Sequence, residues 1–292
     1  MFKIENIAVI GGDIRQLYLA ERLAADGYKV GLLGFDNGIL PGEEVSLTDS
    51  VSGAVKQADC VILPLITTND SLTVLSPFSD KTIALDEVME TADPSRLILG
   101  GMLPPDLVIK AGNKHQKLID YYEREELVIL NAIPTAEGAI AIAMTENDFT
   151  VFGSRCLVCG YGRLGKILAS TLKCMGADVT VAARKYSDFA WIKAAGIKPR
   201  QIKRLAEYVH EFDTVYNTVP AKLFNGQTLC KVGKDTLIID LASRPGGLDF
   251  EKARGLGVKF RRALSLPGKT APRSAAGIIY DTVINIIEEE SL

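Results

Sequence analysis

The sequence predicts an α/β protein built from two doubly wound parallel-sheet domains joined by long helices. Three observations carry the prediction. Short, nearly continuous apolar runs alternate with helical stretches almost end to end, as in a parallel sheet covered on both faces. The alternation pauses at a long Ala-, Ile- and Met-rich stretch after Pro134 and then restarts. A glycine turn, Gly160-Tyr161-Gly162-Arg163-Leu164-Gly165, follows the apolar run RCLVC and opens an amphipathic stretch, the setting of a Rossmann-like nucleotide-binding unit.

Read in order, residues 6–12 form a strand and Ile14 to about Ala25 a helix. Further strands are expected at 28–35, 59–65, 96–101 and 127–132, with helices at 84–92 and 114–126. Pro134 precedes a linking helix from Thr135 to about Asn147. The second series places strands at 155–159, 178–183, 213–219, 236–242 and 258–264, a helix over 163–175 and a closing helix over 272–290. The expected domains are a substrate-side unit over 1–134, a linker over 135–150, a nucleotide-binding unit over 151–270, and a C-terminal helix over 271–292 packing back on the first unit. Two such lobes imply a cleft.

Composition narrows the class of function. Of 292 residues, 47% are hydrophobic and 24% charged, the balance of a chain that buries a sizeable core. Lys+Arg 33 against Asp+Glu 36 leaves a net charge of −3, so nucleic acid and anionic membranes are not expected partners. No charged-then-apolar leader opens the sequence, and no uninterrupted apolar run approaches the roughly 18–20 residues of a membrane span, so a soluble cytoplasmic protein is expected. Self-association is left open. Of the five cysteines only Cys156 and Cys159 have suggestive spacing; they lie on an expected strand, where residues three apart face opposite ways, and are read as core. With His115 and His210 the only histidines, no metal site is expected.

The glycine turn states its own chemistry. Gly160 serves the tight turn, Gly162 lets the backbone approach a pyrophosphate, and Gly165 lets helix and strand pack closely, while the helix N-terminus offers free N–H groups to the anion. The strand that follows ends Val181-Ala182-Ala183-Arg184-Lys185, with no acid to bind a ribose diol. Arg184, assisted by Lys185 or Ser187, is placed to fork onto a 2′-phosphate, so NADP is expected over NAD. Two more strand ends, Asn217-Thr218-Val219-Pro220 and Ala242-Ser243-Arg244-Pro245-Gly246-Gly247, fall where such sheets meet the nicotinamide. Arg244 reads either as a partner for a substrate carboxylate or as a surface arginine.

In the first lobe, Gly11-Gly12-Asp13 fails the glycine pattern, which would need glycine at Ile10 and Arg15 or at Asp13 and Gln16, and sets a carboxylate where a phosphate would sit, which suits a substrate domain. Arg15, in the first turn of the helix, reads either as a partner for a carboxylate or as a helix-surface residue. No histidine occurs in Leu266-Pro267-Gly268-Lys269, where 2-hydroxyacid enzymes tend to carry their base, so hydride transfer without removal of a hydroxyl proton fits better.

The strings IAVIGGDIRQ, NAIPTAEGAIAIAM, GYGRLGK, NTVP, LIIDLASRPGGLDF and LPGKTAP, in this order and spacing, strongly resemble the dipicolinate synthase A-subunit family over nearly the whole chain. The architecture is also similar to that of formate and D-2-hydroxyacid dehydrogenases. The resemblance implies oxidation of dihydrodipicolinate, or its hydrated precursor, to dipicolinate with NADP, in the mother cell of a sporulating bacterium and with a flavoprotein-like B-subunit. On that reading Arg244 and Glu137 are the catalytic candidates, Glu137 at the start of the linking helix reading either as the base or as an ordinary helix-start acid favoured by the dipole. Asp13, Arg15, Thr135, Lys269 and Arg273 are the candidates for a ring dicarboxylate. Alternatives are an NADP-dependent 2-hydroxyacid-type oxidoreductase and a cofactor-binding scaffold active only with its partner.

Overall fold

The computed structural model describes residues 4–38 and 41–291. The chain divides into one unit that runs to Leu130 and resumes at Ala271, and a second, Asn131–Thr270.

In the first unit, six parallel strands are ordered β3-β2-β1-β4-β5-β6. They are β1 (Asn6–Ile10), β2 (Lys29–Leu33), β3 (Val45–Thr48), β4 (Cys60–Leu65), β5 (Leu97–Gly101) and β6 (Lys117–Asp120). The helices are α1 (Ile14–Ala25), α2 (Val51–Val55), α3 (Leu85–Thr91) and α4 (Pro105–Asn113), with α5 (Glu125–Glu146) leaving the unit and α12 (Pro272–Ser291) returning to it. Successive β1 residues serve opposite faces. Ile7 and Val9 meet Leu19 and Leu23 of α1 and Ile279 and Val283 of α12, whereas Ala8 and Ile10 meet Val51, Leu85 and Val88 of α2 and α3. Asp59 aligns the start of the sheet, its carboxylate accepting from the Glu5 and Asn6 amides at 3.0 and 2.9 Å and from Arg96 at 2.6 Å.

The second unit repeats the topology in the order β12-β11-β10-β7-β8-β9. Its strands are β7 (Arg155–Cys159), β8 (Asp178–Ala183), β9 (Lys198–Gln201), β10 (Thr214–Asn217), β11 (Leu237–Asp240) and β12 (Lys259–Arg262). Helices α6 (Arg163–Cys174), α7 (Tyr186–Ala194), α8 (Leu205–Tyr208), α9 (Gly226–Leu229), α10 (Phe250–Gly255) and α11 (Leu266–Thr270) connect them. Cys156 and Cys159 are buried in this sheet, where burial raises both thiols, Cys156 to about 11, so neither is a ready thiolate.

The structure corrects three expectations. Residues 127–132 are not a strand: they lie in α5, which begins at Glu125 rather than Thr135 and carries Pro134 within it. Glu125 and Glu126 in the first turn favour a helix start there, and no turn chemistry separates Ala132 from Pro134. Proline leaves the Leu130 carbonyl without its helical donor; next to it, the Thr135 hydroxyl donates to the Asn131 carbonyl at 2.8 Å. Residues 114–126 are not one helix, because they contain β6 and the 3₁₀ turn Tyr121–Glu123. Finally, the continued α5 is long and apolar enough to cross a membrane, an 18-residue window within it having mean hydropathy 1.7, which no shorter run suggested. Ala136, Ala139, Ile140 and Ala143 line its buried face in the core of the second unit, so it reads as a core helix.

Candidate coenzyme and substrate site

The site is built at the carboxyl ends of β7, β8, β10 and β11. Gly160 leaves β7 at φ +101°, and its amide donates to the Ala182 carbonyl at 2.8 Å. A Cβ on Gly160 would stand 2.4 Å from Thr218 Oγ1, and one on Gly165 would stand 2.3 Å from the Gly160 carbonyl oxygen, so these two glycines close the turn on itself. Gly162 differs: it caps α6 with an ordinary φ of −77°, and a Cβ there would meet nothing within 4 Å. No side chain caps the helix. The turn therefore packs tightly against its own protein and opens on the side where an anion would reach the α6 amides. The residues present fit a dinucleotide diphosphate.

Beside the turn, Tyr161 is half-buried; burial and the nearby Asp188 charge raise its phenol. At the end of β8, Ala183 is buried while Arg184, Lys185 and Ser187 are exposed ahead of α7, whose start has no side-chain cap. Among the described residues, no carboxylate pairs with Arg184.

Asn217 ends β10 and Asp240 ends β11, and both are fully buried. The Asn217 amide donates to Asp240 Oδ1 at 2.7 Å and to the Val219 carbonyl at 3.1 Å, while its oxygen accepts from the Val219 amide at 3.2 Å. Asp240 Oδ2 accepts from the Gly247 amide at 3.2 Å. A Cβ on Gly247 would fall 2.0 Å from Asn217 Nδ2, so only glycine allows the 243–247 loop to lie on this pair. The Thr218 hydroxyl donates to the Cys159 carbonyl at 2.8 Å, tying β10 to β7. Thr218, Val219 and Pro220 on one side and Ala242, Ser243 and Arg244 on the other are thus held by one buried network, with Ser243 and Arg244 exposed. Sequence reasoning assigned Asp240 no role. The available signal was a single carboxylate inside the apolar run TLIIDLA, where an uncompensated charge is costly.

Glu137 is exposed in the interior of α5, not at a helix start, and Thr135 is bonded back to Asn131. Lys269 is exposed near the end of α11. Arg273, in the first turn of α12, stacks its guanidinium 4.9 Å from the centre of the Tyr18 ring. Arg15 is buried and grips Asp13 with Nε and Nη2, both at 2.8 Å, while Asp13 also caps the Arg15 amide at 3.0 Å. Burial alone would raise the Asp13 carboxyl, but the Arg15 hydrogen bonds and charge hold it below the ordinary carboxylate range. This helix start is already satisfied from within. His115 and His210 are both exposed.

Comparison with known proteins follows the same lines. Residues 6–122 match the model for the N-terminal domain of the dipicolinate synthase A-subunit. The chain is 35% identical to the A-subunit of dipicolinate synthase from Bacillus subtilis (strain 168), covering 97% of this chain and 96% of the relative. The crystal structure of the A-subunit of dipicolinate synthase from Bacillus halodurans aligns with a TM-score of 0.89 at 31% identity over 98% of each chain. A transhydrogenase from Sinorhizobium meliloti shares the fold, with a TM-score of 0.68 at 15% identity over 97% of this chain and 94% of its own.

Proposed function

The chain belongs to the dipicolinate synthase A-subunit family, and on that premise we propose that it oxidises dihydrodipicolinate, or its hydrated precursor, to dipicolinate with NADP as hydride acceptor. The observation that carries the redox reading is the turn at 160–165, closed at Gly160 and Gly165 and open at Gly162 above an uncapped helix start. The nicotinamide, when bound, accepts the hydride. The chain's own residues do the rest: the α6 amides hold the diphosphate, Arg184 with Lys185 reads the 2′-phosphate, and the loops set by Asn217 and Asp240 border the reacting ring. Arg244 meets a substrate carboxylate, and Glu137 takes the proton that leaves as the ring becomes aromatic. Asp13, Arg15, Thr135, Lys269 and Arg273 are secondary candidates for the dicarboxylate. Of these Arg15 is the least available, because Asp13 already occupies its guanidinium.

Aromatisation is downhill, so positioning supplies most of the acceleration in this account. The chain is expected to work in the cytoplasm beside a flavoprotein-like B-subunit. The direct test incubates purified chain, NADP⁺ and freshly generated dihydrodipicolinate with and without the B-subunit. Formation of NADPH and dipicolinate in equal amounts supports the proposal. Absence of both products from both mixtures overturns it, and formation that requires the B-subunit gives the chain the scaffold role.

Two substitutions divide the site. Arg184→Ala should weaken NADPH binding by about 10- to 150-fold, the worth of one charge-assisted hydrogen bond, and leave NADH binding nearly unchanged. Equal losses for both coenzymes in a titration would remove Arg184 from the 2′-phosphate. Arg244→Ala should raise the substrate KM by a similar factor with NADPH affinity intact; normal steady-state kinetics would exclude it from the site.

A further inference from the structure

The first unit holds a cavity of about 690 Å³ that the proposed reaction does not use. It lies beyond the carboxyl ends of β2 and β3, between the turn that opens α2 and the loop preceding α3. Its floor is apolar: Leu33, Phe35, Val51 and Ile83 are each no more than 5% exposed. Its rim is polar and of one dominant sign, with Asp36, Asp49 and Glu87 facing the single cation Lys81. That lysine is already engaged, donating from Nζ to the Asp49 carbonyl at 3.1 Å, and the Ser79 side chain beside Asp36 holds its carboxyl below the usual carboxylate range. Among the described residues none of the three carboxylates has an ion-pair partner. The rim thus offers acceptors in excess and opposes anions.

The cavity has a counterpart in the second unit. The Gly11 amide donates to the Leu33 carbonyl at 2.8 Å, the same bond at the same length that Gly160 makes to Ala182. This register sets Phe35 and Asp36 where the second unit has Arg184 and Lys185. In a doubly wound sheet the adenosine of a nucleotide lies beyond that strand, its ribose hydroxyls donating to an acid there. The first unit has kept this place and closed the neighbouring phosphate place. Asp13 caps α1, a Cβ on Gly11 would lie 2.7 Å from the Leu75 carbonyl oxygen, and one on Gly12 would lie 2.1 Å from Gln16 Cγ.

We propose that this cavity is a second ligand site, for an uncharged nucleoside: its base lies on the Leu33–Val51–Ile83 floor, and its ribose hydroxyls donate to Asp36 and Asp49. The volume suits such a molecule, within the roughly 300–1,000 Å³ of small-ligand sites. Phosphorylated forms are disfavoured by the three carboxylates and by the closed turn.

The test is amide-shift mapping of the isotope-labelled full chain by NMR with adenosine and AMP as probes. Adenosine is expected to shift amides at 34–36, 47–53 and 79–83, and AMP to bind there at least about tenfold more weakly, the scale of one charged contact. Asp36→Asn should weaken adenosine by about tenfold and narrow its margin over AMP, an unequal effect on the two ligands that mere loosening of the fold would not produce. Leu47→Trp, at a position 46% exposed on the cavity wall, should block the site without disturbing the core. Shifts confined to residues around 160–165 and 184, no shift at about 5 mM adenosine, or AMP binding as tightly as adenosine would each overturn the proposal. Because the readout is local to the first unit, it succeeds or fails independently of the coenzyme assignment.

Discussion

Gly162→Ala is expected to fold like the parent chain and to lose coenzyme affinity by on the order of 10- to 150-fold, the equivalent of one charge-assisted hydrogen bond to the diphosphate. The first half follows from geometry. The backbone at Gly162 has φ −77°, which alanine adopts freely, and the added methyl would meet no protein atom within 4 Å. The second half follows from what the open space is for: a methyl there keeps an anion from the helix amides that would hold it. The neighbouring glycine supplies the contrast. Gly165→Ala would drive a methyl to within 2.3 Å of the Gly160 carbonyl, so helix and strand must part, at a cost of about 1–3 kcal/mol in stability before binding is considered. Denaturant unfolding and calorimetric titration, run on both variants, distinguish an open glycine from a packed one. Unchanged coenzyme affinity in Gly162→Ala would mean that the diphosphate does not lie on this turn.

Asp240→Ala is expected to destabilise the second unit by about 2–4 kcal/mol and to misplace the loop carrying Arg244. The fully buried carboxylate accepts from the Asn217 side chain and the Gly247 amide, and its removal leaves the Gly247 amide in the interior without that acceptor. Asp240→Asn separates the two roles. It keeps the shape and one acceptor but turns a second N–H toward a donor, so it should recover part of the stability while the substrate KM stays raised. Full recovery of both properties in the asparagine variant would show that the negative charge is dispensable. Unchanged denaturant midpoints in the alanine variant would remove the network from the account of this loop.

What the sequence disclosed, and what it hid, has a common physical cause. The central strands were legible because burial on both faces demands an unbroken apolar run, as in NIAVI, CVILPL and LIID. VSLT, KLID and KPRQ went unrecognised: these are β3, β6 and β9, four-residue strands at the edges of the two sheets, where one side faces solvent and the apolar signal fades. The run LVILNA misled for the converse reason, being apolar enough for a strand yet belonging to a helix whose proline looked like a boundary. In the site, two members of the glycine turn could be read because Gly160 and Gly165 each answer a steric demand within the chain. The pairing of Arg15 with Asp13 and of Asn217 with Asp240 could not: two residues of separation bring the first pair near without showing that they satisfy one another, and 23 residues of separation say nothing of the second.

The proposed redox role needs a 2′-phosphorylated dinucleotide to bind the second unit at residues 160–165 with Arg184 reading its extra phosphate. Calorimetric titration of the folded full-length chain with NADP⁺ and, separately, NAD⁺ measures this directly. A single site is expected that holds NADP⁺ at least about tenfold more tightly than NAD⁺; binding of neither coenzyme, or equal binding of both, would rule out this role for the turn and Arg184.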